Sequence, residues 1–199
     1  MPEALAPWAA ALGLDLTERG DVLAIGPRIE VERRCLDLRA PADWPDADAV
    51  TTQALLDLVD EAFLADLDRR LGLRPLLAAL SVDGRVHWHP SDPDDGLVQA
   101  AFRAHQRTDR GFGPSPGVLA ATWLAARLRA RDTHRVWLSE ADWRIPADDR
   151  AMVEEMATGI AHAAAEVGDA ARVAAWRERR LAQPAALTVG HLDLLALPG

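Results

Sequence analysis

The chain has 199 residues, 49% of them hydrophobic, and a formal net charge of −9. That is enough apolar material for one sizeable core. The acidity, with no basic stripe against it, excludes broad nucleic-acid binding, because phosphate neutralisation supplies most of such affinity. Every one of the 22 basic residues is an arginine, and Lys, Asn and Tyr are absent, a pattern that follows from GC-rich codons. Cys35 is the only cysteine, so an internal disulfide and a multi-cysteine zinc site are excluded. No apolar run approaches the roughly 18 uncharged residues of a spanning helix. The opening "MPEALAPWAAALGL" has no basic leader. The expectation is a cytoplasmic protein that engages neither membrane nor nucleic acid.

In chain order, residues 3–13 predict a short helix with Leu5, Trp8, Ala9 and Leu12 on one face, stopped by Gly13. "DVLAIGPRIEVERRCLDL" predicts two strands around the turn Gly26-Pro27. A Pro- and Asp-rich loop leads to a brief strand over 47–50. A strong helix follows, with Leu55, Val59, Phe63, Leu67 and Leu71 on one stripe, Thr51 or Thr52 as caps and Gly72 as its end. "RPLLAALSV" predicts a buried strand, turned at Asp83-Gly84 into "RVHW" as a hairpin. Helices are expected over 94–107 and 118–131, a strand in "HRVWLSEADWRI", Ala-rich helices over about 147–167 and 169–182, and a closing strand "LTVGHLDLLALP" bent at Gly190.

The order of elements predicts one α/β domain with a mixed sheet. Its parts are a helix plus β-hairpin (1–40), a strand–helix–strand segment (41–93), a helical lid insertion (94–131) and C-terminal strands and helices (132–199). Within the lid, "HQRTDRGFGPSPG" contains Gly-x-Gly but follows a polar helix end rather than a buried strand. Pro114 and Pro116 also remove two amide donors that a phosphate cradle would use. The stretch reads as a stiff lid or as a plain surface connection.

Three segments, "DADAVTTQALLDLVDEAFL", "AFRAHQRTDRGFGPSPG" and "LTVGHLDLLALP", resemble a bacterial group of class I S-adenosylmethionine-dependent methyltransferases. The resemblance runs from that group's second helix to its last strand and implies a Rossmann-like sheet of order 3-2-1-4-5-7-6. It implies S-adenosylmethionine as cofactor and a small molecule as substrate. By position it places Asp37, with Leu38, beside the adenine, and Thr51, Thr52 and Gln53 as the floor under the methyl donor. The same residues also read simply: Asp37 as a strand-end turn, Thr51 and Thr52 as helix caps.

The family's Gly-rich loop after its first strand and acidic ribose residue after its second have no counterpart before Val50. The expected fold is therefore a partial Rossmann-like methyltransferase sheet with flanking helices and an N-terminal β-hairpin, with cofactor binding weak or absent. Its fourth strand would be left with an open edge, a hazard that proteins normally cover. The 21–37 hairpin is expected to pair with residues 47–50; otherwise a second copy or a partner chain supplies the edge.

Other candidate groups are few. His105 and Asp109 are the candidates for acid–base or substrate-orienting roles, with a core-edge histidine as the plain reading of His105. His87 and His89 share a strand face near Asp92, Asp94 and Asp95, but zinc needs three or four convergent ligands, so no metal is expected. Asp57 reads as solvated or paired with an arginine, and His191 and Asp193 read as structural. No Gly-x-Ser-x-Gly occurs, and Cys35 lacks an activating context. Two functions remain: a methyltransferase-family protein impaired in cofactor binding, or a non-catalytic relative that binds a partner through an open sheet edge.

Overall fold

The computed structural model describes residues 2–39, 46–109 and 111–199. They fall into two compact units, 1–44 and 45–199. No helix among the described residues is long and apolar enough to cross a membrane.

The first unit holds α1 (Pro2–Ala11) and an antiparallel meander of β1 (Leu16–Arg19), β2 (Val22–Ile25) and β3 (Ile29–Glu32). The sequence announces β2 and β3 but conceals β1, whose Thr17, Glu18 and Arg19 are all exposed. Gly20, at φ +62°, makes the turn into β2. Buried Leu23 and Ile25 on β2 form the unit's core with Ala9 of α1.

The second unit contains, in order, β4 (Val50–Gln53), a 3-10 turn (Leu56–Leu58), α2 (Glu61–Leu71) and β5 (Leu76–His89). Then come α3 (Asp95–Gln106), a 3-10 turn (Gly117–Leu119), α4 (Ala120–Ala130), β6 (His134–Glu140) and β7 (Trp143–Ile145). α5 (Arg150–Ala165), α6 (Ala170–Ala182) and β8 (Ala186–Pro198) complete it. The sheet order is β4-β5-β8-β6, with β7 also on β8. β4 is parallel to β5, while β8 runs antiparallel to β5, β6 and β7. The chain is α/β with a mixed sheet, as expected.

Three expectations fail for identifiable reasons. The 21–37 hairpin does not pair with 47–50: β1, β2 and β3 bond one another, and β4 bonds β5 alone among the described strands. Both edges of β2 are occupied within the meander, and β3 carries Glu30 and Glu32, charges that discourage edge pairing. The helix after β4 begins six residues later than its leucine pattern, because Asp60 Oδ1 accepts from Phe63 N at 2.7 Å and caps it there. Thr51 and Thr52 are therefore strand residues, not caps. Finally, Asp83-Gly84 makes no hairpin. β5 runs on to His89, and Asp83, Gly84 and Arg85 bulge opposite the single residue Gly190.

β8 buries opposite faces along its length. Leu187 and Val189 join a core with Val86, Trp88, Ile145 and apolar residues of α3, α5 and α6. Leu194 and Ala196, of the other parity, are also buried, where α4 packs on β5, β6 and β8. The change of side falls around Gly190. A Cβ there would lie 2.2 Å from Asp83 Oδ1 and 2.8 Å from Arg85 Cβ. Its absence lets Arg85 cross β8 to Asp142, 2.9 Å away. Gly190→Ala is expected to destabilise the protein by about 2–3 kcal/mol. Gly159→Ala, in α5 with open space around it, is expected to stabilise by about 0.5–1 kcal/mol. Urea denaturation of both variants checks the pair; a neutral Gly190→Ala contradicts the crossing.

Candidate functional site

In open α/β sheets ligands sit beyond the carboxyl ends of the parallel strands. Here that region is the end of β4 and the neighbouring first bulge of β5. Val50 N donates to Pro75 O and Ala54 N to Ala79 O, both toward β5. By alternation, the backbone groups of Thr51 and Gln53 face the open edge. Ala54 (φ +49°) and Leu80 (φ +58°) are both left-handed non-glycine residues. Such conformations cost about 1–3 kcal/mol each and persist where surroundings enforce them. Leu80 is enforced by Asp193, whose Oδ1 accepts its amide at 3.0 Å.

The lid stretch lies against the start of α2. Phe112 meets Phe63 edge-on at 5.4 Å between ring centres. A Cβ on Gly113 would sit 3.0 Å from Asp60 Oδ2. Ser115 Oγ donates to Asp57 O at 2.8 Å and accepts from Gly117 N at 2.9 Å. Asp109 Oδ1 takes the amides of Gly111 (2.7 Å) and Gly113 (2.8 Å). Those are the donors an anion cradle would need, so this loop is a self-bonded strap. Asp57, Gln106 and Ser115 are buried around it, and Gln106 Oε1 has no hydrogen-bond partner among the described residues.

The candidate residues separate accordingly. His105 is half-buried with Nε2 3.1 Å from Glu166 Oε2, tying the end of α3 to the end of α5. Glu166 also meets His162, at 3.6 Å. Asp109 organises the strap. His105 and Asp109 are thus engaged in different contacts. Thr51, Thr52 and Gln53 stand together on β4. Asp37 and Leu38 are exposed in the other unit, after β3. Asp37 accepts from Arg39 through both oxygens, at 2.9 and 2.8 Å, and from the Arg39 amide at 3.0 Å. The Arg39 guanidinium holds the Asp37 carboxyl down to about 2. That is the geometry of the turn reading.

His87 and His89 are exposed on one face of β5, and no group of three or more metal-ligating side chains occurs among the described residues. The nearby carboxylates serve α6 instead. Asp92 accepts from Arg179 at 2.7 and 2.9 Å, and Asp94 from Arg179 at 2.7 Å and from Arg172. Asp95 holds Trp176 Nε1 at 2.8 Å and pairs with Arg180. Arg180 is buried, 4.9 Å from the Trp88 ring centre, and donates to Pro90 O at 2.7 Å. Arg172, Arg179 and Arg180 recur at helical spacing, the one sequence signal that could have paired them with the Asp92–Asp95 run. Salt-bridging Arg179 holds Asp92 down to about 2, and Arg172 and Arg179 lower Asp94.

No protein-family model matches the chain, and no curated protein matches it at a significant level.

Two outcomes follow from these contacts. Asp109→Ala frees the Gly111 and Gly113 amides; hydrogen exchange there is expected to quicken at least about ten-fold, at a cost near 1 kcal/mol of stability. Unchanged exchange contradicts the strap. The depressed Asp92 and Asp94 values stabilise the fold above about pH 4, and that contribution fades as pH falls toward about 2. Trp fluorescence should show α6 leaving α3 in that window, and Arg179→Ala should move the transition to higher pH.

Proposed function

We propose that this chain is a class I S-adenosylmethionine-dependent methyltransferase-type protein acting on a small molecule, impaired in cofactor binding as it stands. The observation that carries the reading is strand order. Taking β4, β5, β6 and β8 as the fourth to seventh strands, β4-β5-β8-β6 is 4-5-7-6, the same succession as that end of the family sheet. The seventh-strand counterpart, β8, is antiparallel to its neighbours, and the fourth and fifth are parallel. The region past the end of β4 is where such folds bind ligands, and the Phe112–Ser115 strap is fixed nearby in sequence at the start of α2.

The chemistry a bound methyl donor supplies is an electrophilic methyl group for direct attack by an acceptor, aided chiefly by alignment and water exclusion. The residues present suit such a donor only in part. Thr51, Thr52 and Gln53 offer a floor and open backbone groups. Among the described residues no glycine loop leaves a strand toward them: Gly111 and Gly113 are spent on Asp109, and Gly84 lies within β5.

A second reading, a non-catalytic relative that pairs through its sheet edge, is favoured by one observation. Among the described strands β4 has a single partner, and its residues Val50, Thr51, Thr52 and Gln53 include no charge or proline to guard the edge. Isothermal titration with S-adenosylmethionine separates these possibilities. The first reading expects weak, saturable binding near millimolar, about −4 kcal/mol. Micromolar binding would contradict the impairment. No binding at all, together with a dimer by light scattering, would leave only the edge-pairing reading.

A further inference from the structure

We propose that the uncovered face of the β5–β8–β6 sheet binds an alkylammonium group, with Asp193 as its counter-charge and Trp137 and Trp143 as aromatic walls. This inference is independent of the methyltransferase reading and of the region past the end of β4.

Directly paired residues share a face, as do alternate residues of one strand. Leu195 pairs with Leu77 on one side and Trp137 on the other, and Asp193 pairs with Ser139. Trp143 pairs with Val189, and its ring centre lies 4.8 Å from that of His191. Positions 189, 191, 193 and 195 therefore look out on one side. Helices α3, α5 and α6 cover that side as far as Val189. In that row Trp143 is 41% exposed, and beyond it Trp137 is 48% exposed, Leu77 42% and Leu195 37%. Same-face neighbours along a strand are about 7 Å apart. Asp193 thus stands one step from the Trp137–Leu195 row and one step from His191, which Trp143 overlies.

The carboxylate is fixed yet available. Oδ1 accepts the Leu80 amide at 3.0 Å, and Oδ2 has no partner among the described residues. Seven other aspartates of this unit meet arginines (Asp66, Asp68, Asp83, Asp92, Asp94, Asp95 and Asp142), while Asp60, Asp109, Asp149 and Asp169 accept backbone amides as caps or turns. The arginine on this face, Arg135, lies beside Leu197, two rows from Asp193 and past Trp137. A held carboxylate between two half-exposed indoles repels anions and offers too few ligands for a metal. It suits a bulky organic cation, whose charge is drawn to aromatic faces and whose alkyl groups rest on Leu77 and Leu195.

Choline and its neutral isostere 3,3-dimethylbutan-1-ol, titrated into the full 199-residue chain and followed by Trp fluorescence and calorimetry, test this. Choline is expected to saturate and to bind at least about ten-fold more tightly than the alcohol. Asp193→Asn keeps an acceptor for the Leu80 amide while removing the charge; it should weaken choline about ten-fold with Tm unchanged. Trp137→Leu should weaken it several-fold. Equal binding of the alcohol would reduce the surface to an apolar patch. That result, unsaturable choline, or full affinity in folded Asp193→Asn overturns the proposal.

Discussion

The pairing of β5 with β8 is the constraint on which the second unit depends. Two bulges on β5 fall opposite Asp193 and Gly190, and between them the register advances without either strand ending. Each is held by one chemical feature of β8. Asp193 supplies a carboxylate oxygen to the left-handed Leu80, and Gly190 supplies empty space for Asp83 and Arg85. Because these devices bend and re-register a long ladder, β8 can bury Leu187 and Val189 against one helical layer and Leu194 and Ala196 against another.

Much of this was legible in the sequence where burial is periodic. The paired Ala-rich helices α5 and α6, the helix α3, and the closing strand follow from residue spacing, and the structure adds Asp149 and Asp169 as the caps of α5 and α6. What escaped is what local pattern cannot encode. Asp83-Gly84 has hairpin chemistry, and only the packing of Val118 and Arg103 around Gly84 shows why it is a bulge instead. The leucines from 55 to 59 have helical spacing, yet they are drawn into a 3-10 turn between a strand that extends to Gln53 and a cap at Asp60. β1 has almost no apolar signal, because it is an outer strand of a small sheet.

The candidate site was legible in the same uneven way. Thr51, Thr52 and Gln53 lie within β4, whereas the sequence suggests a strand over 47–50 with these residues following it. Asp37 satisfies itself with Arg39, as a turn residue would. The glycines of the lid looked like donors, but their amides are consumed by Asp109, four or fewer residues away. A local carboxylate competes for such amides at no cost in association entropy. Asp193 was passed over because the closing strand's likeness to the family gave it a structural role; its open oxygen and the tryptophans of the flanking rows emerge only from contacts and cross-strand register.

The succession β4-β5-β8-β6 is what the functional reading stands on, so the decisive measurement is cross-strand contact in solution. Nuclear Overhauser effects on the labelled chain should connect β8 to β5 and β6 at once, through Leu195 to Leu77 and to Trp137. Direct backbone contacts between β5 and β6, with β8 displaced to an edge, would contradict the arrangement and remove the reason for placing the chain among methyl-donor folds.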